Sequence, residues 1–169
     1  MKQNDFSIKV FGFTNFKTYL FSILFIAGNI IFPSICHIIP NGGLIFLPIY
    51  FFTLLASYKY GLKIGLLTAF FSPIVNFLIL GLPTVQLLPI ILLKSLSLAF
   101  IAWFVAYKTK KLSIMLLALV VISYQSIGFL LEVLIFSELK IAALNLLYSI
   151  PGMFLQVFLI YFIIKKICK

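Results

Sequence analysis

Charged residues are scarce in this chain. Only 9% of its 169 residues are charged, whereas soluble domains average about 25%. A chain with so little charge cannot cover a water-exposed surface, and a mean hydropathy of +1.25 with 64% hydrophobic residues excludes an ordinary soluble domain. The composition therefore predicts an integral membrane protein that forms one domain over residues 1–169.

Several residue types that carry chemistry are also rare. The chain has three acidic residues, one histidine, two cysteines and no arginine. His37 has no second histidine, and Cys36 and Cys168 lie at opposite ends, so helix capping is favoured over metal binding and we expect no metal or cofactor. There is also no Gly-rich phosphate loop followed by Lys-Ser/Thr and no nucleophile–base pattern, which argues against an ATPase and against an enzyme.

What the chain does contain is a series of apolar stretches separated by short polar or Gly/Pro-containing breaks. They predict an all-α integral membrane fold, a bundle of six transmembrane helices, over residues 16–164. Residues 1–15 are predicted to be a cytoplasmic or interfacial N-terminal segment and 165–169 a cytoplasmic tail. The expected spans are 16–39, 44–57, 62–80, 84–107, 112–136 and 141–164.

Lysines fall at the ends of these spans, and six spans place most of them on one side. Only Lys140 falls on the opposite side. By the positive-inside rule this distribution predicts that both termini are cytoplasmic. No basic face carries interleaved aromatic residues, so nucleic acid is not an expected partner and the lipid bilayer is. The lysines on the common side are Lys2, Lys9, Lys17, Lys59, Lys63, Lys108, Lys110, Lys111, Lys165, Lys166 and Lys169.

The most informative stretch is a hairpin over residues 72–95, which turns at 81–84. Asn76, Gln86 and Lys94 lie near this turn inside otherwise apolar sequence. A polar group in hydrocarbon costs free energy unless it has a partner, so polar groups clustered at one depth indicate a lined cavity. We therefore expect a small-molecule site near one membrane face.

Further polar residues are predicted at the same, outer depth, and they complete the candidate substrate-binding set. A lone charge near mid-membrane costs roughly 2.5–3.5 kcal/mol, so Lys94 and Glu132 are expected to form an ion pair, either directly or through substrate. The alternative is a buried pair that only fixes helix register. The added candidates are Asn41, Gln125, Glu132, Asn145 and Tyr148.

Small residues recur every four positions in the predicted cytoplasmic halves of the third and fourth spans. They are Gly61, Gly65 and Ala69, and then Ala102 and Ala106. Such strips allow helix backbones to approach closely, either within the bundle or against a partner helix.

The pattern resembles a protein family. Six short-looped spans with cytoplasmic termini and an outer polar pocket are similar to the substrate-binding S components of energy-coupling factor (ECF) transporters, in a bacterial branch. The resemblance covers most of the chain and is carried by YLFSILFIAGNIIFPSICHIIPNGG (19–43), LPIYFFTLLASYKYGLKIGLLTAFFSPIVNFLILGLP (47–83), LLPIILLKS (87–95), SYQSIGFLLE (123–132) and PGMFLQVF (151–158).

The resemblance implies a function and partners. An S component captures a vitamin-like solute from outside, and a separate transmembrane coupling protein with two ATPase subunits supplies the energy. The family meets its coupling protein through small residues on the first helix, often as Ala-x-x-x-Ala. Here Thr18 and Ser22 occupy that spacing, a departure from the family pattern. The expected partner-docking residues are Thr18, Ser22, Gly61, Gly65, Ala102 and Ala106.

Two other functions remain open at this point. In a membrane enzyme, Lys94 and Glu132 would act as an acid–base pair. In a membrane scaffold of the cell-shape type, the polar residues would pair among themselves and bind no ligand.

Overall fold

The computed structural model describes residues 12, 14–36, 38–136 and 139–167. Regular structure in this part of the chain is helical, and six helical crossings are long and apolar enough to span a membrane. In hydrocarbon every main-chain N–H and C=O must be bonded inside the protein, and a helix achieves this within one segment. The predicted all-α six-helix membrane fold is confirmed, while the sidedness of its termini stays a prediction.

The helices follow the predicted spans, with differences at their ends. The second crossing, Gly42–Tyr60, is a broken helix: its two helical parts, α2 (Gly42–Phe46) and α3 (Phe51–Tyr60), are separated by Leu47 and a 3₁₀ turn, Pro48–Tyr50. The helix predicted to start at residue 84 starts at Leu88, because 81–87 form the connection before it. In chain order the helices are α1 (Phe16–Cys36), α2 (Gly42–Phe46), α3 (Phe51–Tyr60), α4 (Leu62–Leu80), α5 (Leu88–Thr109), α6 (Ile114–Phe136) and α7 (Leu139–Ile167).

The broken second crossing is the centre of the bundle. In an 18-residue apolar stretch of this crossing about 67% of the residues are buried, against 28–39% in the corresponding stretches of the other five crossings. The other helices surround it and expose large apolar side chains on their outer faces, as lipid-facing helices do. The predicted span, 44–57, is short of the roughly 20 residues that a crossing needs, and the structure extends it at both ends, to Gly42 and Tyr60.

Contacts between helix ends show that the crossings alternate in direction. The Phe21 ring, near the start of α1, lies 4.8 Å from the Tyr60 ring at the end of α3. The Tyr58 hydroxyl donates to the main-chain carbonyl of Lys111, 2.8 Å away in the α5–α6 connection.

These contacts define one end of the bundle, which we call the lysine end. Among the described residues it carries Lys17, Lys59, Lys63, Lys108, Lys110, Lys111, Lys165 and Lys166. Lys140 lies at the start of α7, at the opposite end. Lys2, Lys9 and Lys169, like most of the predicted N-terminal segment, lie outside the described residues.

Candidate functional site

A cavity of about 380 Å³ opens at the end of the bundle opposite the lysine end. Its volume lies at the low end of the range of small-molecule sites, roughly 300–1,000 Å³. The rim includes exposed residues of two connections, Asn41 before α2 and Thr84 before α5. The walls are formed by residues between 43 and 50 of the broken crossing, by residues between 82 and 87 of the connection before α5, and by side chains from α1, α4, α5, α6 and α7.

Lys94 and Glu132 form an ion pair in the wall of this cavity. The Nζ of Lys94 donates to Oε1 of Glu132 at 3.3 Å, and the two side chains are only 11% and 14% exposed. The Nδ2 of Asn145 donates to the other carboxylate oxygen, Oε2, at 3.1 Å. Three helices, α5, α6 and α7, thus meet at one polar cluster, which we call the Lys94–Glu132–Asn145 triad.

Gly128 makes room for the lysine. It lies one turn before Glu132 on α6, and the three atoms nearest to a Cβ built on it are Cε, Cδ and Cγ of Lys94, all nearer than 3.0 Å, so that the lysine stem would have to shift. The aliphatic stem of Lys94 therefore lies directly across this glycine. A side chain at position 128 would displace the ammonium that Glu132 binds.

A second, much smaller cavity of about 20 Å³ shares the triad with the first. Gln125 lines it and donates through Nε2 to the Ser149 hydroxyl at 2.9 Å. Ser149 donates its own proton to the carbonyl of Leu146, so the orientation of the Gln125 amide is determined. Oε1 of Gln125 is left buried without a hydrogen-bond partner among the described residues.

Asn76, on α4, is fixed in a similar way. Its Nδ2 donates to two main-chain carbonyls, Asn29 at 2.8 Å and Ser72 at 2.9 Å. Carbonyls only accept hydrogen bonds, so this nitrogen cannot exchange places with Oδ1. Among the described residues Oδ1 of Asn76 has no partner, although the residue is 2% exposed and lines the large cavity. A buried acceptor without a donor costs about 1–3 kcal/mol and is often found at functional sites.

Asn29 connects α1 to the start of α3. Its Oδ1 accepts the main-chain N–H of Phe52 at 3.2 Å, one of the donors that the first turn of a helix leaves unpaired. Its Nδ2 donates to the hydroxyls of Thr53 and Ser72, at 3.1 and 3.0 Å. Asn29 lines neither cavity and is a structural support for the cavity wall.

The break in the second crossing has its own support. Leu47 adopts a left-handed conformation, φ 51°, and its carbonyl accepts Nε2 of Gln156 at 3.2 Å. Oε1 of Gln156 in turn accepts the Tyr124 hydroxyl at 3.0 Å. Irregular backbone at membrane depth is tolerated where it is buried in protein and lines a cavity, and such broken helices form the binding sites of many transporters.

The structure brings together five of the eight predicted substrate-binding residues around the large cavity, and leaves three elsewhere. Asn41, Asn76, Lys94, Glu132 and Asn145 line it. Gln125 lines the small cavity, while Gln86 and Tyr148 are exposed and line neither. In their place the wall contains residues that were not predicted from the sequence, such as Leu47, Pro48 and Ile90. The signal available in the sequence was the presence of a proline within an apolar span, at Pro33 and at Pro48.

The six predicted docking residues are all buried within this chain. Gly65 packs against Ser57, Ala102 and Ala106 lie in the core, and Gly61 is buried between α3 and α4. Thr18 and Ser22 are also buried, at 0% and 3% exposure. Their small size is explained by helix packing inside the bundle, and a docking role for them stays a prediction.

His37 lies outside the described residues, and within the described ranges no cluster of three His, Cys, Asp or Glu side chains could hold a metal ion. Comparisons of the chain with protein-family models, with curated proteins and with solved structures found no match.

Proposed function

We propose that this chain is the solute-capturing subunit of an importer of the ECF type. It binds a small vitamin-like molecule from the outer side of a bacterial cell membrane and delivers it with a separate coupling protein and two ATPase subunits. The lysine end faces the cytoplasm, as the positive-inside rule requires, so the cavity opens to the exterior. The chain itself performs no chemistry on the solute.

One observation carries this proposal: a cavity of about 380 Å³ whose wall contains the Lys94–Glu132–Asn145 triad. Burying two charges costs several kcal/mol per ion before their attraction is counted, and a hydrophobic replacement is often as stable. A pair that only fixes register needs no cavity beside it. An ion pair with unused hydrogen-bonding capacity beside an opening of ligand size is suited to binding a solute.

The test is a thermal-unfolding screen of the full chain purified in mild detergent. Vitamins, purines, pyrimidines and their precursors are added one at a time, because a solute that binds only the folded state at 100 times its Kd stabilises it by about 2.7 kcal/mol. The variants are Lys94→Met and Glu132→Gln, and Lys140→Met is the matched control. Lys140 is an exposed lysine at the end of the bundle where the large cavity opens, and it lines neither cavity.

We expect a solute that raises the Tm of the wild type and of Lys140→Met but not of Lys94→Met or Glu132→Gln. A solute that stabilises all four proteins equally binds outside the cavity and contradicts the proposal. If no compound stabilises the wild type, while Lys94→Met and Glu132→Gln lower its Tm, the triad is structural and the scaffold function is favoured.

A further inference from the structure

We propose that the solute carries no net charge and that its polar edge presents an N–H donor beside a C=O acceptor, as in a cyclic amide or ureide, on an otherwise apolar body. This inference rests on the proposed function and specifies its substrate class. It follows from the charge, the unused hydrogen-bonding capacity and the composition of the cavity wall.

The charge of the wall is balanced. Among the described residues that line the large cavity, Lys94 and Glu132 are the only ones with ionised side chains, and they neutralise each other at 3.3 Å. A solute with a net charge would give up hydration on binding beside a wall that provides no opposite net charge, and a buried charge without compensation is strongly disfavoured. The wall therefore suits a solute whose charges sum to zero.

The triad also has defined hydrogen-bonding capacity left. An ammonium has three donors, and among the described residues Lys94 uses one of them, at the long distance of 3.3 Å. A carboxylate has about four acceptor positions, and Glu132 uses two, for Lys94 and Asn145. Unused donors on Lys94 thus lie next to unused acceptor positions on Glu132.

A cyclic amide or ureide edge matches both groups together. Its C=O accepts from the lysine ammonium while its neighbouring N–H donates to the glutamate, so the protein ion pair stays intact. A carboxylate on the solute would satisfy Lys94 but would lie against Glu132, and an ammonium would have the reverse problem. A zwitterion has no net charge but requires two further ions to be desolvated.

The rest of the cavity specifies the body of the solute. Leu44, Leu47, Ile90 and Ile91 line it together with Pro33 and Pro48, while Tyr50 contributes an aromatic ring. These side chains offer apolar contact, whereas Asn41, Asn76 and Thr84 add polar groups to the lining, among them the unpaired Oδ1 of Asn76. The solute is therefore expected to be compact and largely apolar, with its amide or ureide edge at the triad.

The experiment identifies the solute and then measures its binding. Small molecules extracted from the purified wild-type chain are identified by mass spectrometry, and their binding to wild type, Lys94→Met, Glu132→Gln and Lys140→Met is measured by calorimetry. Thermal unfolding of each variant without solute shows that it is folded. An N-methyl derivative of the identified solute, which lacks the N–H, serves as the matched ligand control.

We expect an uncharged molecule with an amide or ureide edge, bound equally by wild type and Lys140→Met. Each of the variants Lys94→Met and Glu132→Gln should weaken binding at least about tenfold, because each removes a hydrogen bond to a charged group and leaves the other charge unpaired. The N-methyl derivative should bind the wild type at least about tenfold more weakly.

Two kinds of failure are distinguishable. Three results overturn the substrate class and leave solute capture standing. The retained molecule is an anion that binds Glu132→Gln more tightly than the wild type, a cation that binds Lys94→Met more tightly, or a zwitterion. If no molecule is retained, and none of the screened compounds stabilises the wild type, the proposed function fails and the substrate class fails with it.

Discussion

The side-chain amide of Asn76 replaces a hydrogen bond that Pro33 removes from α1. In a regular helix the carbonyl of Asn29 would accept the N–H of residue 33, but proline has none. Nδ2 of Asn76 donates to that carbonyl instead, at 2.8 Å. A helix interruption beside the cavity is thus compensated from the neighbouring helix α4.

This relationship predicts the effect of Asn76→Leu. The variant should lower the free energy of unfolding by about 1–3 kcal/mol, because it leaves the buried Asn29 carbonyl without a donor. The measurement is unfolding in detergent without added solute. In a Pro33→Ala background residue 33 has an N–H again, so the cost of Asn76→Leu should be clearly smaller; an equal cost in both backgrounds would show that Asn76 does not compensate for Pro33.

The effect of Gly128→Ala on the free energy of unfolding should change sign with the residue present at position 94. In the wild type the new Cβ collides with the stem of Lys94, so we expect a loss of about 1–3 kcal/mol, together with loss of solute binding. When Lys94→Ala removes that stem, the same glycine replacement should stabilise helix α6 by roughly 0.5–1 kcal/mol. Unfolding of the four proteins of this cycle tests the contact; destabilisation in both backgrounds would contradict it.

Gln156→Leu should destabilise the break in the second crossing. It removes one of the two donors to the Leu47 carbonyl, which still accepts the main-chain N–H of Tyr50, and it leaves the Tyr124 hydroxyl unpaired, at about 1–3 kcal/mol for that buried hydroxyl. Adding Tyr124→Phe removes the unpaired hydroxyl, so the double variant should be less destabilised than the sum of the two single variants. Strict additivity in thermal unfolding would mean that the three groups do not act together.

Gly152→Ala should move α2, which forms part of the cavity wall. The atoms nearest to a Cβ at position 152 are the main-chain carbonyl of Ile45 and main-chain atoms of Phe46, which cannot move aside as a flexible side chain can. We expect a lower Tm and weaker solute binding. Tyr148→Phe on the same helix is the control: Tyr148 is 54% exposed and lines neither cavity, so that variant should bind solute as the wild type does.

The parts of this structure that could be predicted follow from hydrophobic length and from the cost of burying charge. Apolar runs of membrane length predicted six helices, and the expense of isolated charges predicted that Lys94 and Glu132 would meet. Asn145 was predicted near the same depth and does bind Glu132. These features depend on local composition and on spacing along single helices.

The parts that were missed depend on how helices face one another. Gln86 was assigned to the start of a helix, but that helix begins at Leu88, and the residue is exposed in the connection. The broken second crossing depends on a long-range bond from Gln156, 109 positions away from Leu47 in the chain, which no local pattern contains. Depth could be estimated from the sequence, whereas the direction of a side chain around its helix could not.

The proposal that the cavity beside Lys94 and Glu132 holds one solute molecule can be tested by native mass spectrometry of the detergent-released protein. We expect a single small-molecule adduct of constant mass on the wild type and on Lys140→Met, and its disappearance from folded Lys94→Met and Glu132→Gln. The same adduct on all four proteins, or a wild type that carries none after exposure to every stabilising compound, would contradict it.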